Sequence, residues 1–144
     1  MRKPQNEMKL TFKSLSINEG FARVAVSAFA AQKDMTIEEL NDIKTAVSEA
    51  VTNSIVHGYK NTIGDIYITC GIYNNNTIRI KIRDKGCGIE DIEKAMEPMY
   101  SSLGGDRAGL GFSVMECFTD RLKVSSKPGK GTTVILEKRV SIKC

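Results

Sequence analysis

The stretch IYITCGIYNNNTIRIKIRDKG, residues 66–86, determines the fold class of this chain. Isoleucine or cysteine occupies every second position on both sides of three consecutive asparagines, at 66, 68, 70 and 72 and again at 78, 80 and 82. This alternation is typical of strands with one buried face, and asparagine tolerates the positive φ of a tight turn. The stretch therefore predicts an antiparallel hairpin whose apolar face joins the core.

Asp84 continues the inward-facing series of the second strand. A carboxylate in an apolar interior costs several kcal/mol, as an order of magnitude, unless a donor meets it. Either Asp84 turns outward or caps the next helix, or it awaits a donor from a ligand, such as the exocyclic amine of adenine. Gly86 and Gly88 follow at once, and residues without Cβ let a flat ligand approach the backbone. Taken alone, this segment is an ordinary strand-to-helix turn.

Two helices are predicted before the hairpin, after a short strand at residues 8–12. Asn18 is expected to cap the first helix, and its apolar positions follow helical spacing: Phe21, Val24, Ala25, Ala28 and Phe29. Thr36 and Glu39 form a capping box for the second helix. Gly58 is expected to end that helix in a left-handed conformation.

The remaining elements complete an α/β fold, an α+β two-layer sandwich. Short helices are predicted near residues 89–96 and 112–118, and two strands near 122–124 and 133–140 are joined by a turn at 127–131. The order β-α-α-β-β-α-α-β-β predicts a mixed, mostly antiparallel sheet with helices on one face. We expect a single domain spanning residues 1–144.

Composition narrows the class of protein. Of 144 residues, 41% are hydrophobic and 26% charged, which is typical of a soluble globular domain and leaves no apolar run for a membrane span. The N-terminus lacks the features of a secretory signal, so we expect a cytoplasmic protein with reduced cysteines. The four cysteines have no zinc-site spacing. The net charge of +4 is spread along the sequence with both signs interspersed, so no direct DNA binding is expected.

Several polar residues break the apolar pattern. Glu49 and Asn53 lie four residues apart on the second helix and therefore share one face, which His57 continues. That face is either solvated or part of a site. Glycines precede the last helix at residues 104–111, where exposed amides suit a phosphate, although a surface loop has the same composition.

Four motifs in order resemble the GHKL ATPase and kinase superfamily: EAVTN (49–53), DKGCGI (84–89), RAGLG (107–111) and GKGT (129–132). They are similar to its N box and three glycine boxes. Residues 43–59 look like the anti-sigma factor serine kinases, in particular those of the sigma F type from sporulating bacteria. The resemblance implies a Bergerat-type ATP-binding fold.

The resemblance also implies roles for individual residues. Glu49 would be the general base, and Asn53 would coordinate Mg²⁺ together with phosphate oxygens and waters. Asp84 would accept the adenine amine. Further contacts to ATP would come from Gly86, Gly88, Arg107, Gly109, Gly111 and Thr132, with His57 as a neighbour of the site.

The implied function is that of an anti-sigma factor and protein-serine kinase. It would bind and inhibit a sporulation sigma factor and use Mg-ATP to phosphorylate a serine of an anti-anti-sigma factor. Two alternatives stay open: a nucleotide-gated sigma-binding module without phosphotransfer, and an ATP hydrolase switch. The family is dimeric through its first strand, although the Met8–Phe12 strand also suits a monomer. Arg23 would contact partners, or is simply a solvated arginine.

Overall fold

A computed structural model describes residues 3–96 and 107–141, with only the backbone given for residues 107–110. Five strands form one sheet in the order β1-β2-β3-β5-β4. Their bounds are β1 Asn6–Lys13, β2 Asp65–Ile72, β3 Thr77–Asp84, β4 Arg121–Lys127 and β5 Gly131–Arg139. Every pairing among these strands is antiparallel, so the expected mixed character of the sheet is absent from them.

The helices pack on one face of the sheet and share its core. They are α1 Ile17–Ala30, α2 Ile37–Asn53, α3 Ile92–Ala95 and α4 Arg107–Phe118, and a π-helical turn, Ser54–Gly58, prolongs α2. The isoleucines of the predicted hairpin are buried against α1 and α2, as their alternation requires. The predicted element order and the α+β layering are confirmed. None of the helices in the described ranges is long and apolar enough to cross a membrane.

Helix α1 corrects two expectations. Ser16, not Asn18, occupies the N-cap position, and the side-chain amide nitrogen of Asn18 instead donates to the carbonyl of Lys13. The buried face of the helix carries Ala22, Val26 and Ala30, whereas Phe21 and Val24 are 53% and 61% exposed. Helix α1 thus has apolar side chains with helical spacing on two of its faces. The face with the smaller side chains, Ala22, Val26 and Ala30, is the buried one.

The start of α2 has the predicted capping box and an unpredicted connection to the C-terminus. The Glu39 amide donates to Thr36 Oγ1 and the Thr36 amide to Glu39 Oε1, at 3.0 and 2.9 Å. The Ser141 amide donates to the second Glu39 oxygen at 2.8 Å. Burial opposes ionisation of Glu39, but these hydrogen bonds outweigh it and lower its pKa to about 2.

The lowered pKa makes stability depend on this carboxylate. Its contribution is fully present above the ordinary value of 4.5 and is lost as pH falls toward about 2. We expect Glu39→Gln to lower the free energy of unfolding by about 1 kcal/mol at neutral pH, and the difference from wild type to shrink below pH 4.5. Urea unfolding across this pH range measures it, with the exposed neighbour Glu38→Gln as control. A pH-independent difference would contradict the assignment.

Candidate functional site

Asp84, at the end of β3, is the most deeply buried carboxylate among the described residues, with only 4% of its surface exposed. Ser54 Oγ donates to Asp84 Oδ2 at 2.8 Å, and the Gly86 amide donates to Oδ1 at 2.9 Å. The inward direction predicted from strand alternation is confirmed. Because each carboxylate oxygen can accept more than one hydrogen bond, Asp84 retains acceptor capacity for a ligand.

The pKa of Asp84 reflects the burial of its carboxyl group. Burial raises the pKa of this carboxyl above its ordinary value, while hydrogen bonds from Gly86, Ser54 and Thr132 oppose the rise. A raised pKa means that ionisation of Asp84 in the folded protein is costly. The ionised carboxylate is therefore stabilised further by any ligand that brings an N–H donor to it.

Gly58 does not end α2 in the left-handed conformation that the sequence predicted, since its φ is not positive. Instead α2 continues into the π-helical turn, in which the Tyr59 amide donates to the Ser54 carbonyl at 2.9 Å. A π-turn is wider than an α-turn and is frequent at functional sites. Here the π-turn places Ser54 and Gly58 beside Asp84 at the end of β3.

The reason for glycine at position 58 is close approach. A Cβ on Gly58 would stand 3.0 Å from the Asp84 carboxylate, and one on Gly86 would stand 2.3 Å from the Gly58 carbonyl oxygen. The Cys87 amide donates to that same carbonyl at 2.8 Å. Side chains at either glycine would push the β3 loop off α2, so the two glycines fix the wall of the site.

Tyr59 is a structural member of the site that sequence reasoning missed. Its buried hydroxyl donates to the carbonyl of Asp65 and accepts from the amide of Lys85 at 2.8 Å. The phenol thus ties the start of β2 to the residue after Asp84. Ser54 was missed as well, and for both the only available signal was their position directly beside the predicted Asn53 and Gly58.

These elements surround a cavity of about 780 Å³, a size that suits a small-molecule ligand. Five of the sequence-predicted site residues line it: Asn53, His57, Asp84, Gly88 and Thr132. Ala50, Ile89, Phe112 and Val134 add apolar surface, and Lys60 and Lys94 add positive charge. Cys87 also lines the cavity and is exposed.

Thr132 is held in the cavity wall by a chain of hydroxyls. Its Oγ1 lies 2.8 Å from Ser126 Oγ, which donates to the Gly131 carbonyl and accepts from the Ile89 amide at 2.8 Å. This network joins β4 and β5 to the segment that follows Gly88. Gly88 itself has a φ of +76°, and a Cβ there would meet the carbonyl oxygen of Lys127.

Asn53 carries buried polar atoms that are suited to a ligand. It is buried, yet neither its amide nitrogen nor its amide oxygen has a hydrogen-bond partner in the described structure. A Cβ on Gly111, in the first turns of α4, would stand 3.0 Å from both atoms. No group of three or more acidic, histidine or cysteine residues that could hold a metal occurs in the described ranges. An amide oxygen beside ligand phosphates fits Mg²⁺, which takes few protein ligands.

Other predicted residues lie apart from the cavity or outside the described parts. Glu49 is half-buried one turn of α2 before Asn53 and does not line the cavity that the described residues form. Arg23 is exposed on α1, where it pairs with Glu19 at 3.4 Å. The backbone of Arg107 and Gly109 lies in the first turn of α4, but the Arg107 side chain falls outside the described residues.

Comparison with known proteins agrees with this geometry. The profile of the family "Histidine kinase-like ATPase domain" matches residues 16–138. An anti-sigma F factor of Thermoanaerobacter sp. (strain X514) is 58% identical over 136 residues, which cover 94% of each chain. One from Clostridium acetobutylicum is 49% identical over 139 residues, which cover 96% of each. The chain belongs to the anti-sigma F factors, within the histidine kinase-like ATPases. Membership in this family implies that the domain binds ATP.

Solved structures show the same fold at low sequence identity. The RsbU and RsbW domains of Rv1364c from Mycobacterium tuberculosis superpose with a TM-score of 0.70 at 19% identity, covering 99% of this chain and 35% of that one. A histidine kinase domain from Erythrobacter litoralis gives 0.55 at 18% identity, covering 87% and 60%. These likenesses establish the fold of this anti-sigma F family member.

The environment of Asp84 predicts that replacing it changes ATP affinity and the stability of the ligand-free protein in opposite directions. Asp84→Asn should weaken ATP binding by roughly 10- to 100-fold, because a charge-assisted acceptor for the adenine amine is lost. The same change should stabilise the ligand-free protein at neutral pH, because the raised pKa makes the ionised carboxylate costly there. This gain should shrink as pH falls through the raised pKa of Asp84 and vanish below the ordinary value of 3.8, where the folded and unfolded chains are both protonated.

Calorimetric titration with ATP and thermal unfolding measure the two effects on the same samples. The matched control is Asp65→Asn, which removes a carboxylate that pairs with Lys13 on the surface at 2.8 Å. Unchanged ATP affinity in Asp84→Asn would overturn the adenine assignment.

Proposed function

We propose that this chain is an Mg-ATP-dependent protein-serine kinase and an anti-sigma factor, acting in the cytoplasm of a sporulating bacterium. It would bind and inhibit a sigma factor of the F type and phosphorylate a serine of an anti-anti-sigma factor. One observation supports nucleotide binding. A buried carboxylate, Asp84, and a buried side-chain amide without a hydrogen-bond partner, Asn53, line the same cavity. The relatives named anti-sigma F factor support the regulatory part.

The nucleotide would lie with its adenine toward Asp84 and its phosphates toward Asn53 and the start of α4. Asp84 accepts the exocyclic amine, and Thr132 supports the other edge of the base. Gly86 and Gly88 form the wall beside it. Phosphates meet the amides of Gly109 and Gly111 at the helix N-terminus, with Arg107 near the terminal one. His57, Lys60 and Lys94 lie in the cavity wall around them.

Phosphotransfer needs a base and an in-line hydroxyl. Glu49 accepts the proton of the substrate serine while the serine oxygen bonds to the γ-phosphorus, and the bond to the β-phosphate oxygen breaks to release ADP. Mg²⁺ would be held by Asn53 and phosphate oxygens and would supply charge neutralisation there. Glu49 stands one helical turn from Asn53, so base and metal ligand approach the phosphates from the same side of α2.

The decisive test replaces the base alone. Glu49→Gln should lower the rate of serine phosphorylation by roughly 100- to 10,000-fold, since a general base contributes about that much. ATP affinity and sigma binding should stay within about twofold, because the amide keeps the shape of the side chain. The assay mixes protein, Mg²⁺, γ-labelled ATP and an anti-anti-sigma protein, with Glu38→Gln on the same helix as control.

Each outcome of this assay has a distinct meaning. Label on the substrate serine of wild type, lost in Glu49→Gln, supports the kinase. Label released only as free phosphate would replace it by a hydrolytic switch. ATP bound without any transfer would leave a nucleotide-gated binding module, and loss of sigma binding in Glu49→Gln would show that the two roles are not separable.

We also propose that the chain forms a homodimer through β1 and the outer face of α1. The supporting observation is an apolar surface at this position: Ile17, Phe21 and Val24 are 80%, 53% and 61% exposed. Beside them, the half-buried Phe12 of the edge strand meets Phe21 edge to face, with ring centroids 6.5 Å apart. Exposed apolar surface next to an unpaired strand edge is typical of an interface. Arg23, exposed on the same helix, is proposed to contact partners.

Light scattering after size exclusion tests this arrangement. Val24→Glu should shift the mass from two chains to one, because a buried unpaired charge costs several kcal/mol, as an order of magnitude. The control is Ile63→Glu, an equally drastic change at a residue that is 65% exposed in a loop. A dimer that survives Val24→Glu would place the interface elsewhere.

A further inference from the structure

The face of the sheet turned away from the helices is strongly basic. Every second residue of each strand points to it, and those positions, with Lys85 after β3, hold ten cations: Lys9, Lys13, Arg79, Lys81, Arg83, Lys85, Arg121, Lys123, Lys127 and Arg139. Three carboxylates share this open face: Glu7, Asp65 and Glu137. The whole chain has 21 cations and 17 carboxylates, so the open face is net +7 and the rest net −3.

This separation of charge cannot be seen in the linear sequence, where basic residues are interspersed with apolar and acidic residues. It arises because strand residues of one parity share a face. Two of the three carboxylates are already engaged, Asp65 by Lys13 at 2.8 Å and Glu137 by Arg79 at 3.6 Å. Lys9, Lys81 and Lys123 are exposed and stand in one row across the sheet, through Thr69 and Ile135.

A shallow cleft of about 520 Å³ lies where this face ends, between β3, β4 and β5. Four cationic residues line it, Arg83, Lys85, Lys127 and Lys130, together with one acidic residue, Asp84, and the hydroxyl residues Ser125, Ser126, Thr132 and Thr133. The Arg83 guanidinium lies 4.7 Å and the Lys85 ammonium 5.3 Å from the centre of the Tyr67 ring, which holds both charges over the sheet. Charges and hydroxyl donors in one cleft are suited to phosphate oxygens.

The chemistry of the open face restricts its partner. Its outward strand positions carry one aromatic and one large aliphatic residue, Tyr67 and Ile135, and the side chains of Tyr73 and Pro4 cover the outward position of Gly71 at the end of β2. A protein interface needs an apolar core, and a membrane-surface protein needs apolar side chains that enter the lipid. A nucleic acid strand needs neither, since neutralising its phosphates releases counterions and supplies the affinity.

We propose that the open face of the sheet binds the sugar-phosphate backbone of a nucleic acid, independently of base sequence, with the Arg83–Lys130 cleft as its most basic part. This proposal departs from the expectation, drawn from the interspersed charges of the sequence, that the chain does not bind DNA directly. Along β3 the cations Arg79, Lys81 and Arg83 repeat every second residue, roughly 6.7 Å apart, which is about twice the 3.4 Å phosphate rise of a strand. The nucleotide cavity lies on the helix side of the sheet, and its wall shares Asp84, Gly129 and Thr132 with the wall of the cleft.

Fluorescence anisotropy with a labelled oligodeoxynucleotide of about 20 nucleotides, single-stranded and as a duplex, tests the proposal. If about four phosphates are neutralised, affinity should fall about 100-fold between roughly 50 and 200 mM NaCl. The double variant Lys81→Glu/Lys123→Glu should bind at least about tenfold more weakly and reduce the slope of log affinity against log salt by about two.

The matched control is Lys33→Glu/Lys44→Glu, which makes the same change in net charge at residues away from the open face. It should bind within about twofold of wild type, and all three proteins should bind ATP alike. Equal losses in both doubles would show a net-charge effect and overturn the proposal. So would absence of binding by wild type at the lower salt, or face-dependent binding to phosphatidylglycerol vesicles without binding to either oligonucleotide.

Discussion

One buried carboxylate organises the site. Asp84 is carried into the interior by the same alternation that buries Ile80 and Ile82, and a charge placed there must be met by donors. Ser54 and the Gly86 amide meet it, and Ser54 lies in the π-helical turn through which α2 continues instead of stopping. The cost that burial imposes on Asp84 is what makes it selective, since a ligand with a correctly placed donor relieves that cost.

Local chemistry made much of the fold predictable. Alternation in the hairpin gave β2 and β3, the Asn76 turn adopts the expected positive φ of 62°, and the capping box begins α2 at the expected residue. Each of these signals concerns residues a few positions apart, so no knowledge of the packed state is needed. The element order followed from the same signals.

What the sequence could not supply depended on contacts between distant segments. Helix α1 has two apolar stripes, and only the space left by α2 and the sheet decides which one is buried. Gly58 looked like a helix stop because its real reason, the approach of Gly86, lies 28 residues along the chain. The partners of Asp84 had no motif of their own. Of the site residues that the resemblance assigned, five line one cavity, whereas Glu49 and Arg23 lie apart from it.

The regulatory and nucleotide-binding parts of the molecule are joined by a short polar chain. Glu19 on α1 accepts from Ser48 Oγ on α2 at 2.7 Å and pairs with Arg23 at 3.4 Å. Ser48 directly precedes Glu49 on α2. The proposed partner-binding Arg23 of α1 is therefore connected, through Glu19 and Ser48, to the residue next to the proposed base. The division of charge between the two layers has another consequence: the molecule carries a large electric dipole directed through the sheet. On a negatively charged resin or surface it should adsorb in one orientation, sheet downward, and elute later than a net charge of +4 alone would require.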